Sequence, residues 1–322
     1  MRRILTIDGG GVRGIIPAVL LAALERVTGR PTRESFDFIA GSSTGAVLAA
    51  GIAAGIPAER LVTLYAMRSP EVFRSVSLLS GLRRLVTGTM YDTGTLHGLI
   101  RDELGPEARD WTLNDAPVGL LITAKRLVDG MPWYFVRDNP ANSCRAGGFR
   151  LADAVTASAA APTYFRPWPI APIGDLIDGG IGVAGNPVYQ ACVEAFEYTD
   201  AYEPADTLVV SLGTGKLLRR ERPTWLWPWV GWFLSELLRS PAEQQTELVH
   251  RHYSAAPFYR LDLELEREIG LDAVDRIGDL RASGERFASA IDWPAILAAR
   301  DDRYRITDAT TLPRDYCRLG PN

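Results

Sequence analysis

A serine flanked by glycines is the clearest candidate nucleophile in the chain. Residues 41–45 read Gly-Ser-Ser-Thr-Gly, and Ser43, unlike Ser42, has a glycine two positions away on each side. The apolar residues 36–40 predict a buried strand before this turn, and residues 46–54 predict a helix after it. A G-x-S-x-G nucleophile elbow requires this succession of strand, tight turn and helix. The pattern predicts Ser43 as an acyl-transfer nucleophile, although an isolated match also fits an ordinary Gly/Ser-rich loop.

An aspartate that closes a short apolar strand is the candidate general base. Residues 176–180 read Leu-Ile-Asp-Gly-Gly, which predicts a strand that ends at Asp178 and enters a glycine turn. Strand ends of this kind line the active crevice of open α/β sheets. Asp175 is a weaker competitor because it precedes the strand and lacks the glycines. The non-catalytic alternative is a turn aspartate that caps its own backbone.

A glycine-rich loop near the start of the chain is suited to hold an oxyanion. Residues 8–14 follow a short strand pattern at 3–7 and precede a helix pattern at 15–27. Backbone N–H groups at a helix N-terminus form a positive concavity, and an acyl-transfer serine needs one for its tetrahedral intermediate. The predicted donors are the amides of Gly10 and Gly11, with Val12 as a third.

The loop also contains two charged residues, Asp8 and Arg13. Asp8 is expected to be structural and to tie the loop down through backbone amides. Arg13 either holds the loop or meets a substrate phosphate, and an ordinary surface arginine is an equal alternative.

The same loop also matches a dinucleotide-binding fingerprint. Gly9, Gly11 and Gly14 fit G-x-G-x-x-G, which on its own is a weak signal for a nicotinamide enzyme. That fold further needs an acidic residue at the end of a second strand. Glu34 and Asp37 instead flank the strand that leads to Ser43, so the dinucleotide interpretation is disfavoured.

Histidine is scarce, which favours an aspartate as the base. A Ser-His-Asp hydrolase needs a histidine, and the chain has only His97, His250 and His252. His97 lies in a helical stretch without a motif, and the other two follow a predicted helix over residues 234–248. One of them as a triad base is a minor alternative. A free carboxylate is a weak base, so Asp178 would need a pKa raised by desolvation.

The bulk composition is that of an ordinary globular protein. The 322 residues are 47% hydrophobic and 23% charged, with a net charge of −4 and no basic domain, which argues against a nucleic-acid polymer as partner. Cys144, Cys192 and Cys317 are too few and too scattered for a disulfide framework or a zinc site. We expect free thiols in the cytosol. No apolar run reaches the length of a membrane span, and no signal peptide is predicted.

Two stretches are candidates for contact with a lipid surface. Residues 57–104 interleave arginines with apolar side chains, which fits a lid or a membrane-facing segment, or else a solvated helix face over the core. Residues 225–233 hold four of the eight tryptophans, and tryptophan clusters suit a membrane interface. A packed aromatic corner, or a contact within a homo-oligomer, is the alternative for this cluster.

Taken in order, three motifs make the chain resemble the patatin-like phospholipases. They are Asp8-Gly9-Gly10-Gly11-Val12-Arg13-Gly14, Gly41-Ser42-Ser43-Thr44-Gly45 and Asp178-Gly179-Gly180. Supporting matches are Ala-Ser-Ala-Ala-Ala-Pro-Thr-Tyr-Phe at 157–165, Asn-Pro at 186–187 and Ser-Leu-Gly-Thr-Gly at 211–215. Each motif is modest alone, whereas the ordered set is specific and spreads over nearly the whole chain.

The resemblance implies a three-layer α/β/α sandwich with a mostly parallel central sheet. We expect one catalytic domain over residues 1–300 and a C-terminal tail over 301–322. The resemblance implies a Ser43–Asp178 dyad beside a glycine-loop oxyanion hole, with no cofactor and no metal. The expected reaction is hydrolysis of a phospholipid or lysophospholipid through an acyl-enzyme, by a cytoplasmic protein peripheral to the membrane.

Several alternatives stay open within the same fold. An acyltransferase would pass the acyl group to an alcohol, and a storage or binding protein would perform no reaction. Some bacterial members of the family are antiviral effectors activated by cyclic nucleotides, so a cyclic nucleotide is a further candidate partner. The sequence itself reveals no pocket for one.

Overall fold

The centre of the molecule is an eight-stranded sheet. The structure is a computed structural model, which describes residues 1–73, 89–140, 147–182, 184–217, 229, 242–267 and 269–307. Its strands are β1 (Arg2–Ile7), β2 (Phe38–Ser42), β3 (Gly119–Arg126), β4 (Pro132–Val136), β5 (Trp168–Ile170), β6 (Gly174–Asp178), β7 (Thr207–Leu212) and β9 (Phe258–Leu261). The spatial order is β5-β6-β3-β2-β1-β7-β9, and β4 pairs with β3. The five neighbours from β3 to β9 are parallel, whereas β4 and β6 run antiparallel to β3. A separate parallel pair joins β8 (Lys216–Leu217) to β10 (Glu264–Leu265).

Helices cover both faces of this sheet. They are α1 (Ile15–Thr28), α2 (Thr32–Ser35), α3 (Thr44–Ala53), α4 (Ala58–Val72), α5 (Thr93–Ala108), α6 (Leu151–Ala159), α7 (Val188–Glu197), α8 (Ile277–Ser289) and α9 (Trp293–Leu297). Residues 242–252 are also helical.

Successive strand residues are buried on opposite faces of the sheet. Leu5 of β1 packs into the larger core with α1 and α3, whereas the preceding Ile4 packs into a smaller core with α7. Residues 38–40 of β2 and 208–210 of β7 alternate in the same way. Burial on both faces explains the nearly continuous apolar runs of these strands. The three-layer α/β/α sandwich with a mostly parallel sheet is therefore confirmed.

The turn around Ser43 is tighter than the sequence predicts. A strand over 36–40, a five-residue turn and a helix over 46–54 were expected. In the structure β2 extends to Ser42, because its parallel pairing with β1 and β3 continues through Gly41 and Ser42. Since α3 begins at Thr44, Ser43 alone separates strand from helix.

The C-terminal part of the sheet also differs from expectation. The alternating pattern of residues 258–265 predicts one strand, whereas the structure divides these residues between β9 and β10. Residues 304–306, expected in a weakly structured tail, lie along β9: the Arg260 N–H donates to the Tyr304 carbonyl at 3.0 Å, and the Ile306 N–H donates to the Phe258 carbonyl at 2.8 Å. The domain boundary at residue 300 stays a prediction, and residues 308–322 lie outside the described residues.

Candidate active site

Ser43 occupies the sharp turn between β2 and α3. Its backbone has φ 52° and ψ −120°, and residues with a side chain rarely adopt a positive φ. A Cβ atom at Gly41 would lie 2.2 Å from the Gly45 carbonyl oxygen, and one at Gly45 would lie 2.1 Å from the Ile7 carbonyl oxygen. Close backbone contacts therefore require both glycines of the elbow. Because α3 begins directly after Ser43, its N-terminus favours negative charge at this point.

Replacement of Gly45 by alanine is expected to lower the free energy of unfolding by about 1–3 kcal/mol, because the new methyl group would press on the β1 backbone. The matched control is Gly278→Ala in α8, where a Cβ would meet nothing within 4 Å. There alanine should stabilise the helix by up to about 1 kcal/mol. Urea unfolding of both variants measures the difference, and equal midpoints would contradict the close contact at Gly45.

Ser43 and Asp178, 135 positions apart in the chain, are joined by a hydrogen bond. Ser43 Oγ donates to Asp178 Oδ2 at 2.6 Å, and Asp178 Oδ1 accepts from the Gly180 N–H at 2.7 Å. The aspartate is 5% exposed. A Cβ at Gly179 would lie 2.2 Å from Thr123 Oγ1, so the turn after Asp178 packs tightly on β3. The arrangement places a hydroxyl nucleophile within reach of an oriented carboxylate.

The register of the sheet explains why these two residues meet. Ser42 lies opposite Thr123 of β3, and Asp178 lies opposite the next residue, Ala124. Ser43 and Asp178 thus flank β3 at one level. Asp178 was predicted from the rule that strand ends line the crevice of open α/β sheets, but β6 runs antiparallel to β3. Asp178 still lies at the same end of the sheet as Ser43, because β6 pairs only with the last residues of β3, 124–126.

Burial raises the pKa of Asp178 from 3.8 to about 6, although hydrogen bonds from Ser43 and from the Gly180 amide oppose the rise. The carboxyl must be ionised to accept a proton from Ser43. We therefore expect kcat/KM for a short-chain ester to be level above the Asp178 pKa and to fall about tenfold per pH unit below it. A pH–rate profile of the wild-type protein measures this. An acid limb centred near the ordinary aspartate value of 3.8 would contradict the effect of burial.

The glycine loop after β1 packs directly beside the nucleophile. A Cβ atom at Gly9 would lie 3.1 Å from Ser43 Cβ. The Gly9 N–H donates to the Gly185 carbonyl at 2.9 Å, and the Thr214 hydroxyl donates to the Gly9 carbonyl at 2.8 Å. Both polar groups of Gly9 are therefore engaged, which fixes the loop next to Ser43.

Two of the three predicted oxyanion donors keep a free amide. The N–H groups of Gly10 and Gly11 donate to no acceptor among the described residues. The Val12 N–H donates to the Leu271 carbonyl at 2.8 Å, so the prediction of Val12 as a third donor is wrong. Gly11 has φ +58°, and a Cβ there would lie 2.1 Å from the Leu271 carbonyl oxygen. The Leu271 backbone thus packs closely against Gly11 and accepts the hydrogen bond of the Val12 amide.

Arg13 and Gly14 complete the loop motif. Arg13 Nε donates to the Gly10 carbonyl at 3.3 Å, which fits the prediction that this side chain holds the loop. Arg13 also lines the cavity in which Ser43 lies, so a contact with substrate phosphate stays a prediction. A Cβ at Gly14 would lie 2.2 Å from Thr44 Oγ1, which explains the last glycine of the motif.

Asp8 is held by the largely buried Arg260, whose side chain is 12% exposed, rather than by backbone amides, which corrects the prediction. Arg260 Nη1 and Nη2 donate to its two carboxylate oxygens at 3.0 and 2.6 Å. The same guanidinium donates to Asp262 at 2.9 Å and to the Ser211 hydroxyl at 2.7 Å. These residues connect β1, β7 and β9 beneath the glycine loop. Sequence reasoning missed Arg260 because it belongs to no motif.

The competing bases lie elsewhere. Asp175 is exposed on β6. His97 pairs with an aspartate of α6 at 3.0 Å, and His252 shares a hydrogen bond with a tyrosine of α7 at 2.7 Å. His250 borders a small surface cleft with its neighbour Arg251. All three histidines are described, and the side chain that accepts the Ser43 hydroxyl proton is Asp178.

Ser158 is a contact of the nucleophile that sequence reasoning missed. The Ser43 N–H donates to Ser158 Oγ at 2.8 Å. The one signal was its place in the run at 157–165, to which no role was assigned.

A cavity of about 1260 Å³ opens onto Ser43 and Asp178. The wall formed by α3, α4 and α5 is largely apolar and includes Val47, Leu61, Leu64, Leu96, Ile100 and Leu104. Elsewhere the lining carries charges of both signs: Arg13 and Lys216 are among its cations, and Arg251 pairs there with Glu247 at 2.6 Å. The site therefore combines an apolar compartment with charged groups of both signs.

The stretches predicted to face lipid are described only in part. Residues 74–88 and three of the clustered tryptophans, Trp225, Trp227 and Trp232, lie outside the described residues, whereas Trp229 is 47% exposed. None of the described helices has the length and apolar character to span a membrane. Among the described residues, no group of three His, Cys, Asp or Glu side chains is placed to hold a metal ion.

Comparison with known proteins gives a consistent set of matches. The family model for the patatin-like phospholipase matches residues 5–192, a range that includes all three motifs. A cGAMP-activated phospholipase of Vibrio cholerae is 33% identical over 230 residues, which cover 66% of this chain and 64% of the relative. A protein of the same description from Escherichia coli is 30% identical over 223 residues, covering 66% and 62%. The crystal structure of VipD from Legionella pneumophila aligns with a TM-score of 0.43 at 13% identity, over 90% of this chain and 67% of that one. The chain thus matches less than two thirds of the length of the Vibrio cholerae and Escherichia coli relatives.

Proposed function

Because the chain belongs to the patatin-like phospholipase family, we propose that it hydrolyses acyl esters of phospholipids or lysophospholipids. In this proposal Ser43 is the nucleophile and Asp178 is its general base. The observation that carries it is the 2.6 Å hydrogen bond from Ser43 Oγ to a buried Asp178 carboxylate. The proposed activity rests on this site, because the chain matches less than two thirds of the length of the two phospholipase relatives.

The first half of the proposed reaction forms an acyl-enzyme. Asp178 takes the hydroxyl proton of Ser43 as Oγ attacks the ester carbonyl carbon. The carbonyl oxygen gains negative charge beside the free amides of Gly10 and Gly11 and the N-terminus of α3. One such donor typically contributes about 3–4 kcal/mol to stabilisation of the transition state. Asp178 then returns the proton to the leaving alcohol, and the carbon–oxygen bond of the ester breaks.

The second half regenerates the enzyme. Asp178 accepts a proton from water, which attacks the acyl carbon of the Ser43 ester. The fatty acid leaves as the proton passes back to Ser43 Oγ. The raised pKa of Asp178 suits this exchange, because a carboxyl with a pKa of about 6 is ionised at neutral pH but is a stronger base than an exposed aspartate.

The cavity favours a lipid over a small ester. Its apolar wall suits an acyl chain, and two of the cations in its lining, Arg13 and Lys216, suit a phosphate-bearing headgroup. A lipid substrate also implies work at a bilayer, so we propose that the protein acts at a membrane surface, as a cytoplasmic peripheral protein. The basic stretch at 57–104 and the tryptophan cluster at 225–233 are the proposed docking segments.

The test is lipid mass spectrometry on phospholipid vesicles exposed to the wild-type protein and to Ser43→Ala. The proposal predicts free fatty acid and lysophospholipid with the wild-type protein alone. Addition of a lysolipid acceptor separates hydrolysis from acyl transfer, because a transferase would form diacyl product at the expense of fatty acid. No lipid product under any of these conditions would favour a storage or binding role.

An oxidoreductase has little support in the site. The loop with the G-x-G-x-x-G spacing lies against Ser43, and Asp37, a candidate ribose ligand, accepts hydrogen bonds from Arg2 Nη1 at 2.7 Å and from the Arg3 N–H at 2.9 Å. Covalent labelling of Ser43 by a fluorophosphonate would exclude this class.

We further propose that a cyclic dinucleotide stimulates the activity. The support is that the relatives from Vibrio cholerae and Escherichia coli both carry the name cGAMP-activated phospholipase. The vesicle assay with and without a panel of cyclic dinucleotides tests this. A rate that no member of the panel changes would refute activation while leaving the lipase proposal intact.

A further inference from the structure

The C-terminal end of α6 contacts both members of the proposed dyad. Ser158, near the end of this helix, accepts a hydrogen bond at 2.8 Å from the backbone N–H of Ser43. Ala160, two residues later, accepts one at 3.1 Å from the backbone N–H of Asp178. A single short segment therefore fixes the main chain of the nucleophile and that of its base.

Small side chains allow this helix to reach the site. Ala152, Ala154 and Ala157 are buried, and α6 packs against α3, β3 and β6, the elements that surround Ser43 and Asp178. Larger residues would hold the helix away from the elbow. The run of small residues permits close packing, but nothing local in it indicates which residues the packing positions.

Ser43 needs an external constraint because of its own conformation. Its φ of 52° lies in a region that residues with a side chain seldom populate. Such a conformation persists where the surroundings over-determine it. Ser158 is fully buried, so water cannot replace its hydroxyl as acceptor for the Ser43 N–H.

We propose that Ser158 is a positioning residue for the nucleophile, which holds the Ser43 backbone so that Oγ meets Asp178 Oδ2. This inference rests on the proposed function. Ser158 does not line the cavity, and the Ser43 atom that its hydroxyl accepts from is the backbone nitrogen. Its effect passes through the Ser43 main chain, and the carbonyl of Ala160 keeps Asp178 in register with it.

Thr156 provides a matched control on the same helix. It is also fully buried, but its hydroxyl donates to the Ala152 carbonyl within α6 at 2.7 Å. Truncation of either residue to alanine removes a buried hydroxyl from α6. Only the change at Ser158 removes a partner of the nucleophile.

The experiment compares steady-state ester hydrolysis and thermal unfolding for the wild-type protein, Ser158→Ala, Ser158→Cys, Thr156→Ala and Ser43→Ala. Ser158→Ala is expected to lower kcat about 10- to 100-fold, with KM within about twofold, because the reacting groups lose their alignment. Ser158→Cys nearly preserves the volume but offers a weak acceptor, so it is expected to lower kcat while unfolding near the wild-type temperature. Thr156→Ala is expected to retain kcat within about twofold even where its stability falls.

The outcomes separate this inference from the function on which it rests. Wild-type turnover no higher than that of Ser43→Ala would overturn the proposed function itself. With an active wild type, normal kcat in both folded Ser158 variants would overturn the positioning role. So would a loss confined to KM, or an equal loss of kcat in Thr156→Ala. Should Ser158→Ala fail to fold, Ser158→Cys decides by the same criteria.

Discussion

Ser43→Ala is expected to lower kcat for lipid ester hydrolysis by at least about 10⁴-fold, because the acyl-enzyme cannot form without the hydroxyl. The fold should persist, since within the described part of the chain the lost atom makes one hydrogen bond, to Asp178. Loss of that bond also removes an influence that lowers the pKa of Asp178. Fatty acid release measured over a long incubation provides the required range.

The neighbouring serine supplies a stringent control. Ser42 Oγ is buried and has no hydrogen-bond partner among the described residues. Its replacement by alanine should leave kcat within about twofold and cost little stability, because no hydrogen bond is lost. Equal losses in Ser42→Ala and Ser43→Ala would mean that the elbow, and not the Ser43 hydroxyl, is what the assay reports.

Asp178→Asn is expected to lower kcat by about 10²- to 10⁴-fold, the usual contribution of a positioned general base. The wild-type carboxylate accepts from both Ser43 and the Gly180 N–H. An asparagine has one acceptor oxygen, so its NH₂ group must face one of these two donors. Either the hydroxyl is no longer activated, or the Gly180 turn loses its partner.

The stability of Asp178→Asn should move in the opposite direction to its activity. Burial is the largest influence on Asp178 and raises its pKa to about 6, so the unfolded chain releases this proton more readily than the folded one. Ionisation of Asp178 therefore reduces stability as the pH rises from about 4 to about 6. The neutral variant escapes this loss, and its unfolding temperature at neutral pH should equal or exceed that of the wild type.

The control for this variant is Asp175→Asn on the same strand. Asp175 is exposed, and it was the competing candidate for the base. Its replacement should leave kcat and the pH–rate profile unchanged. Loss of activity in Asp175→Asn, with an active Asp178→Asn, would reverse the assignment.

Local spacing was sufficient to predict the sharp turn at Ser43 and the glycine turn that follows Asp178. The reason is steric, since a Cβ at Gly41 or Gly45 would collide with backbone atoms. Steric constraints of this kind involve a few neighbouring residues, so a single sequence is enough to predict them. The apolar runs likewise predicted buried strands, whereas the mostly parallel sheet was implied by the family resemblance.

The remaining features depend on contacts between distant residues. Arg260 reaches Asp8 from 252 positions away, and Ser158 reaches Ser43 from 115 positions away. Neither spacing has a local signature. The hydrogen bond from the Val12 N–H to the Leu271 carbonyl could not be predicted either, because it depends on how a remote loop packs. The length of the turn at Ser43 was misjudged since pairing with neighbouring strands, and not local propensity, decides where β2 ends.

The central claim is that Ser43, activated by Asp178, becomes the covalent acyl carrier. Its most direct test is reaction with a fluorophosphonate followed by mass spectrometry of the digested protein. We expect a single adduct on Ser43, lost in Ser43→Ala and formed at least about tenfold more slowly in Asp178→Asn. An adduct on another residue, or labelling of Ser43 at an unchanged rate in Asp178→Asn, would contradict the account.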